Sequence, residues 1–309
     1  MEGEMIMEML VTGGAGFIGS NLVERLVREG HNVCVIDNLN SGNENNLAAV
    51  RGKINFKSGN SGELESFGKK FDVIFHQGAY SSSPMYKNNP LLLAEVIRDF
   101  IQILEYAKKN GTKIVFASSS SVYNGVAPPH REDAPLAVTD YYTEGRIEME
   151  RLAKLYHDLY GVRVIALRYF SVYGPHETYK KQYANLITQF LWAMQKNEDV
   201  VVFGDGKQTR DFTYVDDVVE ANVMAARAAA SNNGYGVYNV GTGRNYTINE
   251  MISMLEKATG KKAKLKYVEN KIKNYVGETL ADVSKADKEL GFRAKIALKE
   301  GIEQLIMAY

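Results

Sequence analysis

The chain has 309 residues, with 37 basic and 37 acidic side chains, so its formal net charge is zero. That balance argues against a polyanion-binding surface, and no apolar run approaches the length of a membrane span. Hydrophobic residues make up 45%, which suits one large globular domain or two modest ones. The opening stretch MEGEMIMEML is acidic before its apolar residues and is not expected to act as a signal peptide. Met7 to Val11 reads as a short strand, followed by TGGAGFIGS at Thr12 to Ser20 and a helical apolar spacing from Asn21 to Val27. Asn32 to Asp37 reads as a second strand that ends in a carboxylate. Cys34, the single cysteine, lies in that strand; it is expected to pack rather than react, and no intrachain disulfide can form. Further strands are predicted at Lys53–Phe56, Phe71–Phe75, Lys113–Phe116 and Val162–Tyr169, with helices at Pro90–Asn110 and Tyr142–Tyr160. Repeated strand–helix units predict an α/β fold, a doubly wound parallel sheet whose ligands sit beyond the carboxyl ends of the strands. After about residue 174 the pattern changes. Helices near 181–196 and 247–259 alternate with short strand-like pieces at Val200–Phe203 and Val237–Val240, read as a smaller lobe. The expected division is 1–175 and 176–309, with the two lobes interleaved.

Gly13, Gly16 and Gly19 have the spacing of a dinucleotide-binding turn. Gly13 permits the tight turn, Gly16 lets backbone approach a pyrophosphate, and Gly19 lets helix and strand pack closely. The amides at the helix start, from Phe17 and Ile18 onward, favour phosphate. Asp37 is placed to accept hydrogen bonds from the adenosine ribose and to repel a 2′-phosphate, so NAD is expected over NADP.

Three later segments are expected to meet above the nicotinamide: Phe116–Tyr123, Tyr142–Arg146 and Arg168–Pro175. Tyr142 and Arg146 are four residues apart and share a helix face. A cation beside a phenol favours the phenolate, and a phenolate can take a proton from a sugar hydroxyl while hydride leaves the same carbon. Ser119 can hold the reacting oxygen. In the second lobe, Arg210 suits a diphosphate through its paired donors, or else pairs with Asp205 or Asp211. Asn185 is a residue type suited to cap a helix. Ser81 and its neighbours either touch sugar hydroxyls or cap a helix.

These segments together (TGGAGFIGS, Asp37, FHQGA at 75–79, SSSSVY at 118–123, Tyr142 with a basic residue four later, RYFSVYGP at 168–175 and RDFTYVDDV at 210–218) resemble the extended short-chain dehydrogenase/reductase family, and within it the nucleotide-sugar epimerases and dehydratases. The resemblance covers residue 8 to about 290. It implies a Rossmann domain with a small C-terminal lobe that binds a nucleotide-sugar, commonly a cytoplasmic homodimer built through a four-helix contact. It implies that Ser119, Tyr142 and Arg146 carry the chemistry. It also implies that Asn38, Asn60, Gly78, Ala79 and Tyr169 join the glycine turn in holding NAD, and that Ser81, Ser171, Asn185, Phe203 and Arg210 meet the substrate.

The sequence departs from the family pattern at several points. Arg146 stands where lysine is usual, Gly145 where Ser or Thr precedes it, Ser171 where asparagine is frequent, and Asn60 where aspartate is frequent. A C-terminal arginine common in the family is missing; Lys271 to Tyr275 offers lysines instead. The dehydratases' Asp-Glu pair after the catalytic Ser/Thr is absent, with Ser120 and Ser121 in its place, which argues for epimerisation. UDP-glucose 4-epimerisation is the first expectation. ADP-heptose 6-epimerase-like chemistry is a second, because Lys180 follows GPHETY at the spacing of a second acid/base lysine in that branch; a solvated loop lysine is the other reading of Lys180. UDP-glucuronate 4-epimerisation, a non-catalytic NAD-binding module and a simple NAD-dependent dehydrogenase that releases NADH complete the alternatives.

Overall fold

The computed structural model describes residues 6–136, 138, 140–231, 234–271 and 275–309. Its strands in chain order are β1 (Glu8–Thr12), β2 (Asn32–Asp37), β3 (Ile54–Ser58), β4 (Val73–His76), β5 (Lys113–Ser119), β6 (Val164–Tyr169), β7 (Val172–Tyr173), β8 (Asp199–Phe203), β9 (Thr209–Arg210), β10 (Thr213–Tyr214), β11 (Tyr235–Val240), β12 (Tyr246–Thr247) and β13 (Lys264–Val268). The helices are α1 (Phe17–Arg28), α2 (Ser83–Asn88), α3 (Leu92–Asn110), α4 (Tyr141–Tyr160), α5 (Leu186–Lys196), α6 (Val215–Ser231), α7 (Ile248–Thr259), α8 (Ser284–Leu290) and α9 (Leu298–Ala308).

Seven strands form one parallel sheet in the order β11-β6-β5-β4-β1-β2-β3. The predicted doubly wound α/β architecture is therefore present. Alternation along each strand sends side chains to two separate cores. Met9 and Val11 of β1 join Val33 and Val35 of β2 against α1 and α6. Leu10, Cys34 and Ile36 face the other way, onto Val96, Phe100 and Ile103 of α3 and Met149 of α4. Cys34 is buried as expected.

The chain leaves β1 toward β2 and β3, then returns to the other side of β1 as β4. The two directions part between β1 and β4, which is where such sheets bind ligands. The loops there nearly touch: a Cβ on Gly13, whose φ is +66°, would lie 2.5 Å from the Cα of Gly78. No larger residue fits that turn.

Outside that sheet, in the region expected to form the smaller lobe, lie the pairs β10/β7, β12/β9 and β13/β8; α5, α7 and α9 pack on one another, whereas α8 packs on α6 and β11. The piece at Val237–Val240, expected in this lobe, belongs to β11 and pairs with β6 in the main sheet. Its partner lies more than sixty residues earlier, a pairing that local pattern cannot express. The helix expected at 181–196 is α5 preceded by a tight 3-10 segment, Thr178–Tyr183.

Candidate active site

α4 presents two of the expected site residues. Its first turn is fixed by Asp140, whose carboxylate accepts a hydrogen bond from the Thr143 amide at 2.8 Å, the normal chemistry of an N-cap. Gly161 ends the helix in the left-handed conformation. Tyr142 therefore sits at the start of α4, with Arg146 one turn later. The Arg146 guanidinium lies 5.0 Å from the Tyr142 ring centroid, and the buried Tyr86 packs its ring 5.7 Å from the same phenol.

Arg146 is 4% exposed. Its Nη1 donates to the carbonyl of Ala117 at 2.9 Å and its Nη2 to the carbonyl of Tyr80 at 3.0 Å. It thus ties the loop after β4 to strand β5. Its Nε–H is buried and has no hydrogen-bond partner among the described residues.

The hydroxyl-rich turn after β5 carries Ser119, whose Oγ accepts a hydrogen bond from the Ser121 amide at 3.1 Å. The Ser119 proton remains available to a further acceptor. Neighbouring Ser118 donates to Glu150 Oε1 at 2.6 Å. Glu150 is clasped by Arg168 through two hydrogen bonds, 2.9 and 2.6 Å long. Arg168 also donates to the Tyr123 hydroxyl at 2.7 Å, and Tyr123 donates to Asn239 at the same distance. This buried network roots the serine turn in β6, α4 and β11.

One cleft gathers these groups at the carboxyl ends of the strands. It is lined by Gly13, Gly16, Phe17, Ile18 and Gly19 of the glycine turn, by Asp37 and Asn38 after β2, and by Gly78, Ala79 and Ser81 after β4. Ser119, Tyr142, Arg146, Tyr169, Ser171 and Lys180 complete the expected members. Asp37 Oδ2 accepts from the Ala15 amide at 3.0 Å and Oδ1 from the Leu39 amide at 2.8 Å. Burial raises its pKa, and those backbone donors oppose the rise. A carboxylate offers about four acceptor positions, so capacity remains for ribose hydroxyls. Tyr169 is buried, and burial raises its pKa to about 12; its hydroxyl donates to Gln77 at 3.1 Å and accepts from Asn222 at 2.8 Å.

Four expected residues do not line the cleft. Asn60 accepts from Asn38 at 3.4 Å and donates to Glu63 at 3.1 Å. Asn185 caps α5 by accepting from the Ile187 amide at 3.1 Å, and donates to the Val172 carbonyl at 3.0 Å. Phe203 ends β8 at 39% exposure. Arg210 pairs with neither Asp205 nor Asp211; it donates to the carbonyls of Thr209 and Val276, beside the Tyr275 ring. Lys271 pairs with Glu269, and residues 272–274 lie outside the described residues.

Several cleft residues escaped sequence reasoning. Ser61 and Gln77 line it, as do Glu95 and Asp99 of α3. Tyr80 donates to Glu95 at 3.0 Å. Glu95 and Asp99 are four apart in an otherwise apolar helical stripe, a pattern that could have marked them.

The cleft fits a dinucleotide on two counts. Its floor is a glycine turn where a side chain would collide with the facing loop, and one of its walls holds an orphaned buried donor, Arg146 Nε. The family model of the NAD-dependent epimerase/dehydratase family matches residues 9–241. A UDP-glucuronate 4-epimerase of Thermodesulfobacterium geofontis is 34% identical over 316 residues, covering 96% of this chain and 94% of that protein. The UDP-glucose 4-epimerase of Thermotoga maritima, solved with UDP-glucose, superposes with a TM-score of 0.90 at 30% identity over 98% of each chain. The ADP-L-glycero-D-manno-heptose-6-epimerase of Helicobacter pylori superposes with a TM-score of 0.87 at 28% identity, over 98% of this chain and 96% of that one.

Proposed function

This chain belongs to the NAD-dependent epimerase/dehydratase family, and on that premise we propose that it epimerises a nucleotide-activated sugar at carbon 4, with UDP-glucose and UDP-galactose as the substrate pair. The observation that carries this reading is the convergence of Tyr142, Ser119 and the buried Arg146 on one cleft with the glycine turn. NAD bound there would supply the hydride acceptor and donor that a redox epimerisation needs. The Gly13–Gly19 turn and the amides opening α1 hold its diphosphate, Asp37 its adenosine ribose, and Arg146 Nε a nicotinamide-ribose hydroxyl. Asn38, Gly78, Ala79 and Tyr169 form the surrounding cofactor walls, and Asn60 reaches them only through its hydrogen bond with Asn38.

Tyr142 removes the hydroxyl proton of the sugar, with the Arg146 charge beside it to stabilise the phenolate. Ser119 donates to the same oxygen, which becomes the carbonyl of a transient keto sugar. Ser81 and Ser171 meet the sugar, while Asn185, Phe203 and Arg210 form the nucleotide side of the substrate lobe. Arg210 pairs with no carboxylate among the described residues, and on releasing the Thr209 and Val276 carbonyls its fork can turn to a diphosphate. A homodimer is supported by the exposed apolar side chains of Ile101 on α3 and Leu155 and Leu159 on α4.

A second reading, heptose 6-epimerisation, is favoured by the entry of Lys180 into the cleft. Incubation with UDP-galactose, UDP-glucuronate and an ADP-heptose, followed by separation of products, tests both. Interconversion of a UDP-hexose without net NADH supports the first reading. Conversion of the ADP-heptose alone supports the second, and conversion of none by NAD-loaded protein leaves a binding module.

A further inference from the structure

Lys180 enters the cleft from the second lobe on a segment fastened to the glycine turn. Asn46 donates both to the Ala15 carbonyl of that turn, at 3.0 Å, and to the His176 carbonyl, at 3.5 Å. Asn21 of α1 donates to the Pro175 carbonyl at 3.2 Å. Ser20 and His176 share a 2.8 Å hydrogen bond, and Asn45 donates to the Tyr179 hydroxyl at 2.9 Å. Residues 175–179 are therefore strapped across the start of α1. His176 and Lys181 flank the strap's lysine at φ values of +74° and +51°, conformations that persist only where the surroundings impose them.

Behind the strap lies Glu177, fully buried. Its carboxylate accepts from the Asn185 amide at 2.8 Å, from the Thr188 hydroxyl, and from Lys180 Nζ at 3.3 Å. That last bond orients the ammonium without enclosing it. Lys180 Nζ stands 5.0 Å from the ring centroid of Phe17, the first residue of α1. A cation so placed faces the same point as the helix amides, where a dinucleotide's diphosphate carries its charge.

We propose that Lys180 is a ligand of the cofactor diphosphate, positioned by Glu177 and carried on the 175–183 strap, rather than an acid/base group for the sugar. The inference rests on the reading that the cleft holds NAD. It makes the second lobe a direct contributor to cofactor retention.

The test is calorimetric titration of NAD, ADP-ribose and adenosine into nucleotide-stripped full-length wild type, K180Q and K180R. Gln keeps a donor for Glu177, so the buried carboxylate stays partnered, and thermal melting of each variant verifies the fold. K180Q is expected to weaken NAD and ADP-ribose about tenfold, the scale of one charge-assisted hydrogen bond, with adenosine unchanged. K180R is expected to restore most of the loss, and added salt to narrow the gap. K180Q affinity for NAD within twofold of wild type overturns the proposal, most directly if sugar turnover falls at the same time. Normal NAD binding by the wild type with no sugar converted would instead overturn the proposed function and leave the Lys180 result standing.

Discussion

Arg146 follows Tyr142 by one helical turn, and its guanidinium lies 5.0 Å from the Tyr142 ring while two of its nitrogens donate to the carbonyls of Ala117 and Tyr80. A single side chain thus sets a positive charge beside the phenol and fastens the loop after β4 to strand β5. A lysine ammonium can supply the charge but lacks the planar fork that reaches both carbonyls.

R146K is therefore expected to keep measurable turnover yet lose stability of about 1–3 kcal/mol, the cost of leaving a buried carbonyl unpartnered. R146M is expected to lose both stability and turnover. Chemical denaturation beside a turnover assay checks this; an R146K protein as stable as wild type would remove the bridging role.

Y142F retains the ring packing against Tyr86 and Arg146 but has no hydroxyl to accept a proton. Turnover is expected to fall by about 10²–10⁴-fold, the usual contribution of a positioned acid or base, with NAD content unchanged. Quantifying NAD released from denatured Y142F separates lost chemistry from lost cofactor.

Breaking the pair beneath the serine turn tests its structural role. E150A leaves the Arg168 charge buried without its partner, an event that costs about 3–5 kcal/mol. A urea midpoint close to wild type would show that the network is not a support for Ser118 and Ser119.

His76 gives the protein an acid limb. It is buried, its Nδ1 shares a 2.7 Å hydrogen bond with the Thr12 hydroxyl, and its Nε2 has no hydrogen-bond partner among the described residues. Burial, then the Arg146 charge, holds its pKa down to about 3 from an ordinary 6.5. Between those values the unfolded chain binds the proton and the folded one does not. The stabilisation is complete above about pH 6.5 and is lost as pH falls toward 3, at a limiting slope of about 1.4 kcal/mol per pH unit. Urea unfolding at pH 7.5 and 4.5 should show this loss in wild type and a smaller one in H76Q.

The dinucleotide half of the molecule was legible because its signals are local. The glycine spacing, the strand ending at Asp37 and the Tyr142–Arg146 interval each lie within one element and its turn. Beyond residue 175 the elements α7 and β8 were legible, but strand pairings were not, because their partners are distant. β11 joins β6 across the whole of α5 and α6. α6, buried through Ala221, Ala225 and Ala229 as well as Val218 and Val219, is apolar around much of its surface and lacks a clear amphipathic period. The roles of Asn185 and Arg210 depend on which hydrogen bonds win. Asn185 is a strong N-cap residue and serves as one here, whereas Arg210 settled on backbone carbonyls rather than the acids beside it in sequence. Lys180 could be found in the sequence, but its placement over Phe17 required the strap.

The most direct measurement is NMR of the purified protein with UDP-galactose in deuterated buffer and no added cofactor. Accumulation of UDP-glucose, with the carbon-4 hydrogen retained from substrate and no net NADH, is the predicted result. No conversion of any UDP-hexose by protein that demonstrably carries NAD, or stoichiometric build-up of NADH, would contradict epimerisation at carbon 4.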